Sequence, residues 1–203
     1  MVEDSGTRTV RIKLNVDESA ADLLHQTTDH FLDAANHVVD VAWEPDWKIT
    51  SKQKLHDLTY YDVRDGSSLP ANLVQAARNR AAEAVKGVIE RWKEGKKASK
   101  PEFTSRFASY DARTVTVNDD HATLATIDGR VTAEFVLPDE QRDTPHSGYL
   151  FNDDYDVKGA TLHYGTVEDC FYLHVRTKPA VENDDTDTGD AKHVSVLGVD
   201  LGI

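Results

Sequence analysis

The sequence contains a single cysteine, Cys170, among 203 residues. One thiol can form neither an intrachain disulfide nor a thiolate zinc site, so both are excluded for this chain alone. Histidine could replace cysteine as a metal ligand, but His25, His30 and His37 are five and seven residues apart. We expect this spacing to scatter the three side chains around a helix and to leave them on the surface.

Long apolar runs are also missing. No segment approaches the ~20 apolar residues that a membrane span needs, and residues 1–15 contain no apolar signal-peptide core. We therefore expect no membrane partner and a cytoplasmic location. With 39% hydrophobic residues, the chain can still bury a sizeable core, in one large domain or two small ones.

Basic residues are fewer than acidic ones. The chain has 23 Lys and Arg and 36 Asp and Glu, which gives a net charge of −13. Such a balance argues against a nucleic-acid partner, since phosphate contacts need Lys and Arg. Residues 78–113 nevertheless hold ten basic and five acidic side chains, which leaves −18 for the rest. On charge alone, this segment fits a nucleic-acid contact and a helix face that balances its neighbours equally well. The acidic remainder is typical of a high-salt cytoplasm, and we hypothesise a haloarchaeal host.

The first half of the chain is predicted to hold one strand and then helices. Residues 7–16 alternate polar and apolar side chains, which is the period of a half-buried strand. Asp17 is the expected cap of a long amphipathic helix, and Gly95 the expected end of another that begins with Ser68 as cap. The apolar positions of the first helix span Leu23–Ala42 and those of the second span Leu73–Trp92. A short helix is predicted between them, over Lys52–Leu58.

After Pro101 the apolar period changes to two, which predicts an antiparallel sheet or small barrel. Asp128-Gly129 favours a hairpin turn, because glycine tolerates the positive φ that such turns require. The whole pattern predicts an α+β fold in which a helical insertion separates the first strand of a β-domain from the rest. The expected strands are Phe103–Ala108, Thr114–Val117, Ala122–Ile127, Arg130–Leu137, Lys158–His163 and Cys170–Arg176.

Residues 193–203 form an apolar run that contains Leu-Gly-Val-Asp-Leu-Gly. Such a run is typical of a strand buried on both faces, and the carboxylate of Asp200 within it needs partners or a cation. RNase H-like nucleases, RuvC included, use a first-strand Asp to hold two Mg²⁺ about 4 Å apart. Actin-like sugar kinases place a related stretch beside ATP, and a solvated Asp at a strand end is a third interpretation. A kinase would carry this strand at its start, whereas about 190 residues precede it here, so the nuclease is favoured.

Together these features resemble the TnpB-type endonucleases, which are transposon-encoded, RNA-guided and cut DNA. That family starts with a strand of a wedge-like, OB-like β-barrel, inserts a helical recognition domain, completes the barrel and enters a RuvC domain through a strand of the Leu-Gly-Val-Asp-Leu-Gly type. Lys-Ala-Ser-Lys-Pro-Glu-Phe at 97–103 is similar to its basic stretch before Pro-x-Phe. The implied boundaries are 1–16 for the first barrel strand, 17–100 for the recognition domain, 101–180 for the rest of the barrel, 181–192 for an acidic linker and 193–203 for the truncated start of RuvC.

The resemblance implies that Asp200 is the first catalytic, metal-binding carboxylate and that Mg²⁺ is the cofactor of the full-length family member. It implies guide RNA and target DNA as partners, with a partner transposase of the same element as a further one. The residues expected to contact the RNA or DNA backbone are Arg78, Arg80, Lys93, Lys96, Lys97, Lys100 and Arg106. Aromatic residues at positions 43, 47, 60, 61, 92, 103, 107 and 110 are candidate stacking platforms, of which we expect one or two to meet a base.

The family's other RuvC carboxylates and its cysteine zinc ribbon lie downstream of this motif. One Asp cannot assemble a two-metal site, so we expect these 203 residues to bind nucleic acid without cleaving it. Two alternatives stay open. The chain could be a non-catalytic nucleic-acid-binding remnant of a decayed insertion element or, less favoured, a fragment of an actin-like sugar kinase.

Overall fold

A computed structural model describes residues 6–138 and 144–180 of the chain. Within these ranges the fold is α+β, with three helices and a curled antiparallel sheet of seven strands. The helices are α1 (Glu18–Ala42), α2 (Lys52–Gly66) and α3 (Ala71–Lys93). The strands are β1 (Arg8–Asn15), β2 (Phe107–Tyr110), β3 (Val115–Val117), β4 (His121–Ala125), β5 (Arg130–Val136), β6 (Tyr155–Gly165) and β7 (Cys170–Pro179). A single π-helical turn, His146–Leu150, precedes β6.

Strand β1 lies at the centre of the sheet, whose order is β2-β6-β7-β1-β5-β4-β3. It pairs with β7 on one side, where Ile12 is opposite Leu173, and with β5 on the other, where Leu14 is opposite Phe135. Its alternate apolar residues are buried, as the period of two predicts. Because all three helices lie between β1 and β2 along the chain, the predicted helical insertion is confirmed.

The helices α1 and α3 pack against β2, and α2 packs against these two helices. Asp17 caps α1 as predicted, since its Oδ1 accepts a hydrogen bond of 2.7 Å from the amide of Ala20. Phe31 of α1 is fully buried and contacts Phe107 of β2 edge to face, with 5.1 Å between ring centroids. The buried face of α3 is rich in alanine, which lets α1 approach it closely.

The short helix predicted over Lys52–Leu58 is confirmed and continues to Gly66. Its full length was not predicted, because the second half buries only Thr59 and Val63 and has no clear apolar period. Two other local predictions were wrong. The expected cap Ser68 does not cap α3, which begins after Pro70 without a side-chain cap. The strand expected from Phe103 begins four residues later, at Phe107.

The hairpin predicted at Asp128-Gly129 is confirmed, with Gly129 at φ +78°. No helix in the described ranges combines the length and the apolar character that crossing a membrane requires. The predicted linker at 181–192 and the predicted RuvC start with Asp200 lie outside the described residues.

A bulge in β6 depends on Gly159. This residue has φ +136°, and the register of β6 against β7 shifts beside it. A Cβ atom at this position would lie 2.6 Å from the carbonyl oxygen of Tyr110 and 3.0 Å from Nη2 of Arg176. Glycine is therefore required both by the backbone conformation and by the close approach of β2.

We predict that Gly159→Ala lowers the free energy of unfolding by roughly 1–3 kcal/mol, because alanine is strained at this φ and its methyl group meets backbone. The matched control is Gly66→Ala at the end of α2, where nothing lies within 4 Å of the added atom. Ala is favoured over Gly in a helix, so the control should be neutral or more stable. Urea unfolding of both variants measures the difference, and equal stabilities would contradict the assigned strain.

Candidate nucleic-acid interface

An open groove lies between α3 and the extended segment that follows it. Its volume is about 820 Å³. One wall is formed by Ala84, Gly87, Val88 and Arg91, which share a face of α3, and the other by the segment 97–101. Gly87 adds open space to the groove, since nothing lies within 4 Å of where its Cβ would be. We call this feature the basic groove.

The reversal that forms the basic groove is a Schellman motif at the end of α3. The amide of Lys96 donates to the carbonyl of Arg91 at 2.9 Å, and the amide of Gly95 donates to the carbonyl of Trp92 at 3.0 Å. Gly95 has φ +73°, as the motif requires, so the prediction that it ends this helix is confirmed. The chain then turns back along the helix.

Side chains hold the returning segment in place. The indole Nε1 of Trp92 donates to the carbonyl of Ala98 at 2.9 Å. Asn36 of α1 bonds both backbone groups of Phe103, with distances of 2.8 and 2.9 Å. These contacts explain why Phe103 is not in a strand, because its backbone groups bond a helix side chain instead of a sheet neighbour. They also fix the position of Lys97 and Ser99 at the groove.

Two cations at the basic groove are not neutralised by any described residue. Arg91 and Lys97 have no ion pair or side-chain hydrogen bond with any residue that the structure describes. Lys100 also lines the groove, but its Nζ pairs with Asp40 of α1. An anionic ligand would therefore meet two free cations directly and a third through exchange with a carboxylate.

The other predicted basic residues are mostly paired. Lys96 contacts Glu94 at 2.6 Å, and Arg106 forms a two-point contact with Asp29 at 2.6 and 3.0 Å. Lys93 is exposed at the end of α3 and does not line the groove.

Arg78 and Arg80 lie further towards the start of α3. Arg78 Nη1 lies 3.0 Å from Nδ1 of His56, and burial lowers the pKa of this arginine. Arg80 contacts Glu83 at 3.5 Å and its guanidinium lies 5.9 Å from the ring centre of Phe107. The structure thus does not gather the seven predicted residues in one patch.

Three of the candidate stacking residues are exposed: Tyr61 at 75%, Trp47 at 58% and Trp92 at 41%. Trp92 adjoins the basic groove and also packs on Trp43, with ring centroids 5.5 Å apart. Phe107 and Tyr110 are buried in the core and cannot meet a base in this conformation. The hydroxyl of Tyr110 is buried without a hydrogen-bond partner among the described residues, and burial raises its pKa.

A second group of cations lies on the solvent-facing side of β1 and β7. Arg11 stacks on Tyr172, with 3.6 Å between guanidinium carbon and ring centre, and Lys13 is opposite the same tyrosine. Arg176 lies on this side of β7 as well. Sequence reasoning missed this group, although alternation within each strand places all three cations on the exposed side.

Two histidines lie beside these cations. The rings of His163 on β6 and His174 on β7 have centroids 4.7 Å apart. Burial, followed by the charges of His174 and Arg80, lowers the pKa of His163. Burial, followed by the charge of Arg11, lowers the pKa of His174. Both rings therefore favour the neutral form at pH 7.

The expected scatter of the α1 histidines was wrong in part. His30 and His37, seven residues apart, line one pocket between α1 and α2 together with Asp33 and Asp62. Across residues 6–138 and 144–180, no three His, Cys, Asp or Glu side chains are grouped so that they could hold a metal ion. Asp200, the predicted metal ligand, lies outside these ranges.

Signals for the basic groove were present in the sequence. Residues 84, 87, 88 and 91 have the spacing of one helix face, and that face combines two small residues with an arginine. Comparison with known proteins gives no match, either to a protein-family model or to a curated protein.

We predict that stability falls as the pH drops below the ordinary histidine pKa of 6.5. The folded state disfavours protonation of His163 and His174, so the unfolded chain binds protons first and gains stability relative to the fold. The double variant His163→Gln/His174→Gln should show a shallower loss between about pH 7.5 and 5.5. Chemical unfolding across this range measures it, with His121→Gln as control. A wild-type profile from the double variant would contradict the prediction.

Proposed function

We propose that this chain is a nucleic-acid-binding portion of a transposon-encoded, RNA-guided DNA endonuclease of the TnpB type, acting in the cytoplasm. The observation that carries the proposal is the basic groove, where Arg91 and Lys97 pair with no carboxylate of residues 6–138 and 144–180, in a chain of net charge −13. Retained free cations beside an open groove are typical of a site for phosphates. The order of strand, helical insertion and returning sheet supports the same assignment.

In this proposal the groove tracks a sugar-phosphate backbone of guide RNA or of guide-paired target DNA. Arg91 and Lys97 supply the charge, and Gly87 with Ala84 gives the room for the backbone to lie against α3. Ser99 and exposed Trp92 offer a hydrogen bond and a stacking surface that do not weaken in salt as ion pairs do. Such contacts suit a protein adapted to a saline cytoplasm.

Cleavage in this proposal belongs to a complete RuvC site. Asp200 would supply the first carboxylate for two Mg²⁺, and further carboxylates would complete the metal site. The partner transposase of the same element would act in DNA recombination beside it.

The second candidate, a non-catalytic nucleic-acid-binding remnant, is favoured by the same groove and differs only in lacking cleavage. The actin-like kinase fragment draws no support from the groove, because a phosphate-backbone site is not needed for sugar phosphorylation.

The test is the double substitution Arg91→Gln/Lys97→Gln. Removing two phosphate contacts should reduce the slope of log affinity against log salt by about 1.8 for duplex DNA. The matched control is Lys54→Gln/Lys86→Gln, which removes the same charge from exposed positions that do not line the groove. Filter binding or anisotropy with RNA of about 20 nucleotides and with duplex DNA gives both slopes.

The proposed groove predicts that the control pair keeps the wild-type slope to within a few tenths. If both pairs weaken binding equally, the interaction reflects overall charge and the groove is not the site. If neither pair changes binding, the proposed function of the groove is wrong.

A further inference from the structure

A second, smaller pocket lies between the first half of α3 and the strands β2, β6 and β7. Its volume is about 160 Å³, room for roughly five water molecules. It shares no lining residue with the basic groove. Three arginines from different elements line it, Arg80 of α3, Arg113 after β2 and Arg176 of β7. We call it the arginine pocket.

The two carboxylates of the arginine pocket are already engaged. Asp111 accepts hydrogen bonds from Arg113 Nε at 3.0 Å and Nη2 at 2.5 Å. Burial alone would raise the pKa of Asp111, but the bonds from Arg113 and from Thr114 hold it below its ordinary value. Glu83 is shared by Arg80 at 3.5 Å and Lys52 at 3.6 Å. The local charge is therefore positive.

Arg176 carries a charge that no carboxylate in the described part of the chain compensates. Its guanidinium forms no ion pair and no hydrogen bond with any residue in the described ranges. It lies against the bulge at Gly159, where a Cβ atom would come within 3.0 Å of its Nη2. The glycine thus leaves the space that the guanidinium occupies at the pocket wall.

The opposite wall offers neutral donors. Asn79 lines the pocket, and its Oδ1 accepts hydrogen bonds from Arg78 Nε and Nη2 at 3.3 and 3.0 Å. Its amide nitrogen has no acceptor among the described residues and can therefore donate to a ligand. Gln75 and Asn72, one and two turns earlier on α3, add further amides to this wall. Hydroxyl groups of Ser109 and Thr161 lie on the sheet side.

We propose that the arginine pocket binds the phosphate group of a phosphomonoester. A tetrahedral dianion takes hydrogen bonds from several directions, and here donors face it from a helix and from a sheet. A planar carboxylate would be satisfied by one guanidinium and would leave the amides of α3 without a partner. The phosphate is either the terminal phosphate of a nucleic-acid strand or that of a free nucleotide. This site is separate from the basic groove and does not depend on its function.

The test uses isothermal titration of the whole chain with adenosine 5′-monophosphate, inorganic phosphate and adenosine. We expect the two phosphates to bind and adenosine not to bind. Arg176→Gln should weaken binding of the monophosphate by roughly ten- to hundred-fold, the loss of a charge-assisted hydrogen bond. Lys178→Gln is the matched control, because it removes the same charge two residues away on the same side of β7. Its effect should stay below about three-fold.

The proposal is overturned if adenosine binds as tightly as its monophosphate, if no phosphate binds at about 1 mM, or if Lys178→Gln costs as much as Arg176→Gln. The affinities for RNA that carries a 5′-phosphate and for RNA that carries a 5′-hydroxyl are then compared, to identify the source of the phosphate. A preference for the 5′-phosphate assigns a strand terminus, and equal affinity with bound monophosphate assigns a free nucleotide. The variant Arg91→Gln/Lys97→Gln should still bind the monophosphate, so the two sites can fail independently.

Discussion

The pairing of β1 with β7 and β5 is the constraint on which the other features depend. Six register pairs, from Arg8 opposite Thr177 to Lys13 opposite Tyr172, join the two ends of the described chain. Closing so long a loop costs entropy, which burial of Val10 and Ile12 at the centre of the sheet offsets. Because β1 is already paired with β7 and β5, the strand that follows the inserted helices cannot pair with it. That strand, β2, instead lies at the edge of the sheet. The path of the chain from α3 to β2 carries the segment 97–101 along α3 and creates the basic groove.

Much of this architecture could be predicted from local patterns. Three features depend only on residues that are neighbours in the chain: the alternation in β1, the cap at Asp17 and the turn at Gly129. The second half of α2 could not be predicted this way, because few of its residues are buried. The start of β2 was also beyond reach, since Asn36 of α1 bonds the backbone of Phe103 from 67 residues away.

The same limit applies to the candidate site. A basic segment is visible in the sequence, but which of its cations are free is decided by tertiary contacts. Asp40 and Asp29 of α1, 60 and 77 residues from their partners, neutralise Lys100 and Arg106. The cations on β1 and β7 are far along the chain from the basic segment 78–113. The fold of the sheet brings Arg176 of β7 close to Arg80 and Arg113 of that segment. With a Debye length of about 8–10 Å at moderate salt, such local arrangements matter more for a bound phosphate than the net charge of −13.

The central claim is that a nucleic-acid backbone lies in the basic groove, and hydrogen–deuterium exchange tests it most directly. The chain would be compared alone and with RNA of about 20 nucleotides, at a salt concentration where binding is saturated. Slower exchange in 97–101 and in the last turns of α3, with unchanged exchange in β3, β4 and β5, is the predicted result. Slower exchange confined to those three strands, or no change in the groove when RNA is bound, would contradict the claim.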